Sequence, residues 1–315
     1  MSDTGVRHAA EGPRSLPARD LVGYGQRPPD PRWPGGARVA LSFVLNYEEG
    51  GEQTPLEGDP ASEAFLHEVV GAPPTVGRRN LNTESMFEFG SRAGFWRVHR
   101  LFGAHGLPLT VYAVGQALER NPAAARAMVD AGWEVASHGW RWIDYGELPE
   151  EEERAHIGRA VAAIERACGI RPVGWYTGRV SQATRRLVVE EGGFLYDSDS
   201  YADELPYWLD VGGQGHLVLP YTLDANDFKF LLPNGFVTAG DFAEYLIDSL
   251  EQLREEGGRM MSVGLHCRIV GRPGRARGLE RFLRHVRTCH DVWVATRADI
   301  ARHWRATHPY RREAP

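Results

Sequence analysis

From Arg38 onward the chain alternates apolar runs of strand length with segments of helical period, and this alternation limits the fold more than any single motif does. The strand-length runs are RVALSFVLN, LPLTVYAV, GWEVASHG, RPVGWY, GGFLYDS, HLVLPYTL, RMMSVGLHC and DVWVAT. Between them, apolar residues recur three and four apart in SRAGFWRVHRLFGAHG, NPAAARAMVDAG, PEEEERAHIGRAVAAIERACG, SQATRRLVVEEG, AGDFAEYLIDSLEQLREEG and ARGLERFLRHVRTC. Several of these segments close on Gly, which adopts the left-handed backbone that ends a helix without steric cost. The acids of PEEEER fall where a helix N-terminus favours negative charge. Strand-then-helix repetition predicts an α/β fold of parallel strands under helices, either a barrel or an open doubly wound sheet.

Residues 1–36 end in RPPDPRWPGG, where fixed φ angles and missing amide donors forbid a long helix or a central strand. They predict an N-terminal arm on the surface, and residues 37–315 predict one domain of a size that a single barrel fills. A formal net charge of -6 offers no basic face to nucleic acid or to an anionic membrane, so a small-molecule substrate is the expected partner. No apolar run has the length of a secretory core or a membrane span, and the expected location is cytoplasmic. Cys168, Cys267 and Cys289 are odd in number and far apart, which suggests buried thiols and neither a disulfide framework nor a CxxC zinc site. No glycine fingerprint of a dinucleotide site follows the first strand.

In parallel α/β folds the site forms at the carboxyl ends of the strands. Those ends supply Asn46, Tyr47, Glu48 and Glu49, then Ser137, His138, Trp140, Arg141, Trp142 and Asp144. Later strands add Trp175, Tyr176, Arg179, Asp197, Asp199 and Asp203, and the last ones Asp224, Asn226, Asp227, His266 and Arg268. Any one acid here has a bland reading as a solvated side chain or an Asx turn, and any one Trp as core. An acid pair matched by histidines at other strand ends favours chemistry.

Adjacent acids closing the first strand in NYEEGGE, His138 in SHGWRW and His266 in VGLHC together resemble the polysaccharide deacetylases. In that family the first acid of such a pair is the general base and the second a metal ligand, which the resemblance carries onto Glu48 and Glu49. It carries a further ligand onto His138 and the general acid onto His266. Where the family has a second ligand histidine this chain has Trp142, and the family's Arg-Pro-Pro-Tyr segment is rewritten as WYTGR, with Tyr176 at the arginine position and Arg179 beyond it. Catalytic zinc ordinarily takes three protein ligands, and an indole cannot donate a lone pair, so no metal is expected; a residual divalent ion through Glu49 and His138 stays open. Long segments from RDLVGYGQRPP to DIARHW are similar to the cofactor-independent allantoinases that arose from polysaccharide deacetylases. That resemblance implies hydrolysis of the hydantoin ring of allantoin in purine and urate breakdown, a distorted (β/α) barrel of seven repeats, and a homotetramer.

The hydantoin ring suits such a site, because the departing nitrogen lies between two carbonyls and is stabilised as an anion. Glu48 is expected to take a proton from water and His266 to protonate the leaving nitrogen. His138, with Arg179 or Arg268, is expected to stabilise the oxyanion. Glu49 is expected to orient His138, and Tyr47, Trp142, Trp175 and Tyr176 to contact substrate. A cyclic imide hydrolase, a metal-dependent amino-sugar deacetylase and a non-catalytic binding module are the competing readings.

Overall fold

The computed structural model describes residues 19–312; residues 1–18 of the expected arm and residues 313–315 lie outside the described residues. Strands β1 (Val39–Tyr47), β2 (Thr110–Ala113), β3 (Glu134–Ser137), β4 (Gly174–Trp175) and β5 (Tyr196–Asp197) come first. They are followed by β6 (Tyr207–Val211), β7 (Gln214–Val218), β8 (Arg259–His266) and β9 (Val292–Val294). The helices are α1 (Leu81–Phe89), α2 (Phe95–His105), α3 (Gly115–Arg120), α4 (Pro122–Asp130), α5 (Glu150–Cys168), α6 (Thr184–Glu191), α7 (Ala239–Glu256), α8 (Pro273–Val286) and α9 (Arg297–Thr307).

Parallel strands run in the order β7-β5-β4-β3-β2-β1-β8, with β9 beside the first half of β1. This is the distorted barrel expected of the polysaccharide deacetylase type. The gap between β7 and β8 is spanned by a short parallel bridge from Asn226 to Gly264. Strand β1 is central and buried along its whole length, which is why it reads as a near-continuous apolar run.

Alternation along the strands sorts residues into two layers. Leu41, Phe43, Leu45 and Tyr47 of β1 join Val263 and Leu265 of β8 in the apolar layer under the helices, with Phe95, Phe102 and Phe282. The opposite set faces the barrel interior. At its floor the fully buried Arg297 donates to Ser42, Ser198 and Ser262 Oγ and to the carbonyls of Leu219 and Pro220. Above it pack Val44, Tyr112, Ala136, Tyr176 and Tyr221, and above them the strand-end polar groups. Among the described residues no helix is long and apolar enough to cross a membrane.

Several element boundaries differ from the sequence reading. Antiparallel β6 pairs with β7 as a hairpin, Tyr207–Val211 against Gln214–Val218, where a single parallel strand was expected. The helix expected to begin at Ser91 begins at Leu81, and a π turn over Gly90–Gly94 joins α1 to α2. Glycine is required in that turn: a Cβ on Gly94 would stand 2.0 Å from the Cys267 carbonyl oxygen, and one on Gly90 2.2 Å from Glu49 Oε1. The described part of the arm is not wholly superficial, because Trp33 is buried with Trp304 and donates its indole N–H to the Arg259 carbonyl.

Candidate active site

Residues that continue the interior-facing set beyond the strand ends form one cluster. Glu48 follows Ser42, Val44 and Asn46 along β1; His266 and Arg268 follow Ser262 and Gly264 along β8; His138 follows Ala136 on β3. Glu48 is 1% exposed and stands at the centre. Its Oε1 lies 3.3 Å from His138 Nε2 and 3.6 Å from His266 Nε2, and its Oε2 accepts from the Arg268 guanidinium.

Asp227 completes the chain. Its Oδ1 is 2.6 Å from His266 Nδ1, and its Oδ2 accepts from the backbone amides of His266 and Val270 at 2.7 and 3.0 Å. This fixes the imidazole with Nε2 toward Glu48. Burial works against ionising Glu48, yet Arg268 and the two histidines outweigh it and hold the carboxyl well below its ordinary range. Burial also opposes a charge on His266, and the carboxylates of Asp227 and Glu48 reverse that, raising it above 6.5. The pair therefore sets a carboxyl biased toward its ionised form beside an imidazole biased toward its protonated form.

Arg268 is 1% exposed, and its guanidinium carbon lies 4.4 Å from the Phe87 ring centroid and 4.9 Å from that of Trp142. Desolvated cation–π contacts of this kind contribute about 2 kcal/mol. Its Nη1 comes to 4.0 Å from Glu49 Oε1, while Nε and Nη2 have no hydrogen-bond partner among the described residues. Tyr176 packs its ring 5.0 Å from that of His138 and bonds Tyr201 through its hydroxyl.

Three expectations are corrected by this geometry. Tyr47 and Trp175 sit at odd positions of the strand alternation and point to the helix side: Tyr47 bonds Ser91 at 3.1 Å, and Trp175 packs with Ile157 and Leu187. Neither lines the cluster. Glu49, also of the outer set, does not orient His138; its Oε2 accepts from the Glu48 amide at 3.0 Å, its Oε1 has no hydrogen-bond partner among the described residues, and burial pushes its carboxyl up to about 7. Arg179 pairs with Glu63 at 3.0 Å and lies 5.3 Å from the Trp142 ring, so it braces that indole without bonding Glu48 or either histidine.

The acids after β5 behave as loop anchors. Asp199 accepts from the Thr177 and Gly178 amides, Asp203 closes an Asx turn, and Asp197 is held by Arg185 and His216. A cavity of about 400 Å³ opens beside Trp140, Arg141 and His156, but Glu48, His138 and His266 do not line it.

Sequence alone gives Asp227 and Phe87 no role. Asp227 stood among the polar residues after the sixth apolar run, indistinguishable there from Asp224 and Asn226. Phe87 lies on α1, ahead of Ser91, where the periodicity first indicates a helix.

Comparisons with known proteins bear on the family and the fold. The polysaccharide deacetylase family profile matches residues 83–192. A Schizosaccharomyces pombe protein bearing the polysaccharide deacetylase name is 45% identical, over 93% of this chain and 98% of its own. The chain belongs to the polysaccharide deacetylase family. A solved structure of PuuE allantoinase is similar to this deacetylase-family chain at 55% identity and TM-score 0.91, covering 93% of this chain and 99% of that one. A Helicobacter pylori peptidoglycan deacetylase is 25% identical over 68% of this chain and 84% of its own length.

The metal that deacetylase resemblance implies does not fit these side chains as they stand. Glu48 is taken by Arg268, Glu49 turns to a backbone amide, and an indole stands at position 142. Among the described residues the side chains that bring three ligand atoms together are Glu251, His285 and Cys289, beside α7 and α8 and not at the strand ends.

Proposed function

We propose that the protein opens the hydantoin ring of allantoin to give allantoate, with no metal in the reaction. The observation that carries this reading is the buried chain Arg268–Glu48–His266–Asp227, in which a carboxyl and an imidazole stand 3.6 Å apart, placed to act as base and acid. Glu48, His138 and His266 are at most 5% exposed. Such enclosure favours a small ring over a polymer, and the similarity to PuuE allantoinase supports the same substrate class.

Glu48 takes a proton from water as the water oxygen bonds to the ring carbonyl carbon. The carbonyl π pair becomes an oxyanion, which His138 and Arg268 stabilise from fixed positions. On collapse the ring C–N bond breaks, and its electron pair takes the proton of His266 Nε2. Asp227 holds the imidazolium in register throughout. Water is added across one C–N bond, and the product is an open ureido acid.

The test is to supply wild type and Glu48→Gln with allantoin and, separately, with an N-acetylated amino-sugar oligomer. Wild type is expected to form allantoate and release no acetate, and Glu48→Gln to lose about 10²–10⁴-fold in turnover, the usual contribution of a positioned acid–base group. Acetate release without allantoate would overturn the reading.

A further inference from the structure

The two carboxylates, the imidazole and the guanidinium at the strand ends make an unusual balance of donors. Oxygen and nitrogen groups of Glu48, Glu49 and His138 are ligands of the type that divalent first-row metals take. Glu48 Oε1 and His138 Nε2, 3.3 Å apart, are spaced as two ligands each about 2.0–2.1 Å from one tetrahedral ion would be. The cation that meets the two carboxylates is a side chain. Arg268 bonds Glu48, approaches Glu49 Oε1 to 4.0 Å, and is backed by Phe87 and Trp142. Four buried polar atoms here have no hydrogen-bond partner among the described residues: Glu49 Oε1, His138 Nδ1, and Arg268 Nε and Nη2.

We propose that Arg268 is the built-in cation of this site: its guanidinium, bonded to Glu48 and 4.0 Å from Glu49 Oε1, supplies beside the carboxylates the positive charge that a divalent ion would otherwise supply, and its open N–H groups hold the substrate oxygen that becomes negative. The second half rests on the hydrolytic reading above; the first does not. A guanidinium cannot be deprotonated and presents its donors in a fixed fork, so it supplies positive charge without ligand exchange. Trp142 acts here as a wall that keeps the guanidinium in place and out of water.

The site should then become a metal site when the guanidinium is removed. The probe is Co²⁺, titrated into metal-free wild type, Arg268→Ala and the bulkier Arg268→Gln, with bound metal counted after gel filtration and folding followed by circular dichroism. Arg268→Ala is expected to bind Co²⁺ at least about tenfold more tightly than wild type, a difference of ~1.4 kcal/mol. Its allantoin turnover is expected to fall and to be partly restored by added guanidinium ion but not by urea. A variant that folds only when metal is added also supports the proposal, and if Arg268→Ala does not fold under either condition, the same comparison is read from Arg268→Gln. Folded variants that bind Co²⁺ no more tightly than wild type would overturn the idea. The metal arm needs no substrate, so wild type without allantoin turnover would sink the proposed function while the titration still decides the cation claim.

Discussion

At the scale of residues, neighbouring glutamates do unlike work because the strand pleat sends them to opposite layers. Glu48 enters the barrel mouth beside three nitrogen-bearing side chains, and Glu49 enters the helix layer against Gly90. Their environments push their pKa values apart, Glu48 down and Glu49 up to about 7. Asp227 is the positioning residue for His266, and its charge is the part that can be removed with little change of shape. Asp227→Asn lowers the raised His266 pKa, so the alkaline limb of the rate profile is expected to move to lower pH while the substrate KM changes little. The stability effect has a definite sign. A histidine whose folded pKa lies above 6.5 contributes stability in full below that value and loses it as pH rises through the folded pKa. Wild type and Asp227→Asn are therefore expected to differ most in urea melts below pH ~6.5 and to converge at higher pH; a difference constant with pH would contradict the ion pair.

At the scale of elements, the π turn joining α1 to α2 determines how close helix and strand ends come. Gly94 rests against the carbonyl of Cys267, the residue between His266 and Arg268. Gly94→Ala is expected to force that backbone away and cost about 1–3 kcal/mol in denaturant unfolding, the usual penalty of overpacking, and to lower turnover as well, because both flanking side chains belong to the site. This contact also shows where sequence reading ends. Glu48, His138, Arg268 and His266 were legible because strand ends gather sites in parallel folds. The outward direction of Tyr47 and Trp175 was not: strands buried on both faces lack the apolar–polar alternation that reveals parity, and β1 is buried on both sides. The β6–β7 hairpin was hidden for a related reason, since Trp208 and Leu209 alternate too weakly beside exposed Asp210 to announce a strand.

At the scale of the whole molecule, the barrel is closed at its floor by a charge and at its side by a bridge. Arg297 satisfies two backbone carbonyls and three serine hydroxyls drawn from separate strands and loops. Arg297→Met leaves those acceptors buried without their donor and is expected to cost about 3–5 kcal/mol in urea unfolding, several times the effect of an exposed arginine. The mouth is where fold becomes function, and there the chain carries its own cation in the ionic chain that ends on Asp227. The most direct test is allantoin hydrolysis by protein stripped with a strong chelator, with metal content and allantoate measured on one sample. Undiminished turnover at negligible bound metal is the expected result. Turnover lost on stripping and restored by zinc would contradict it.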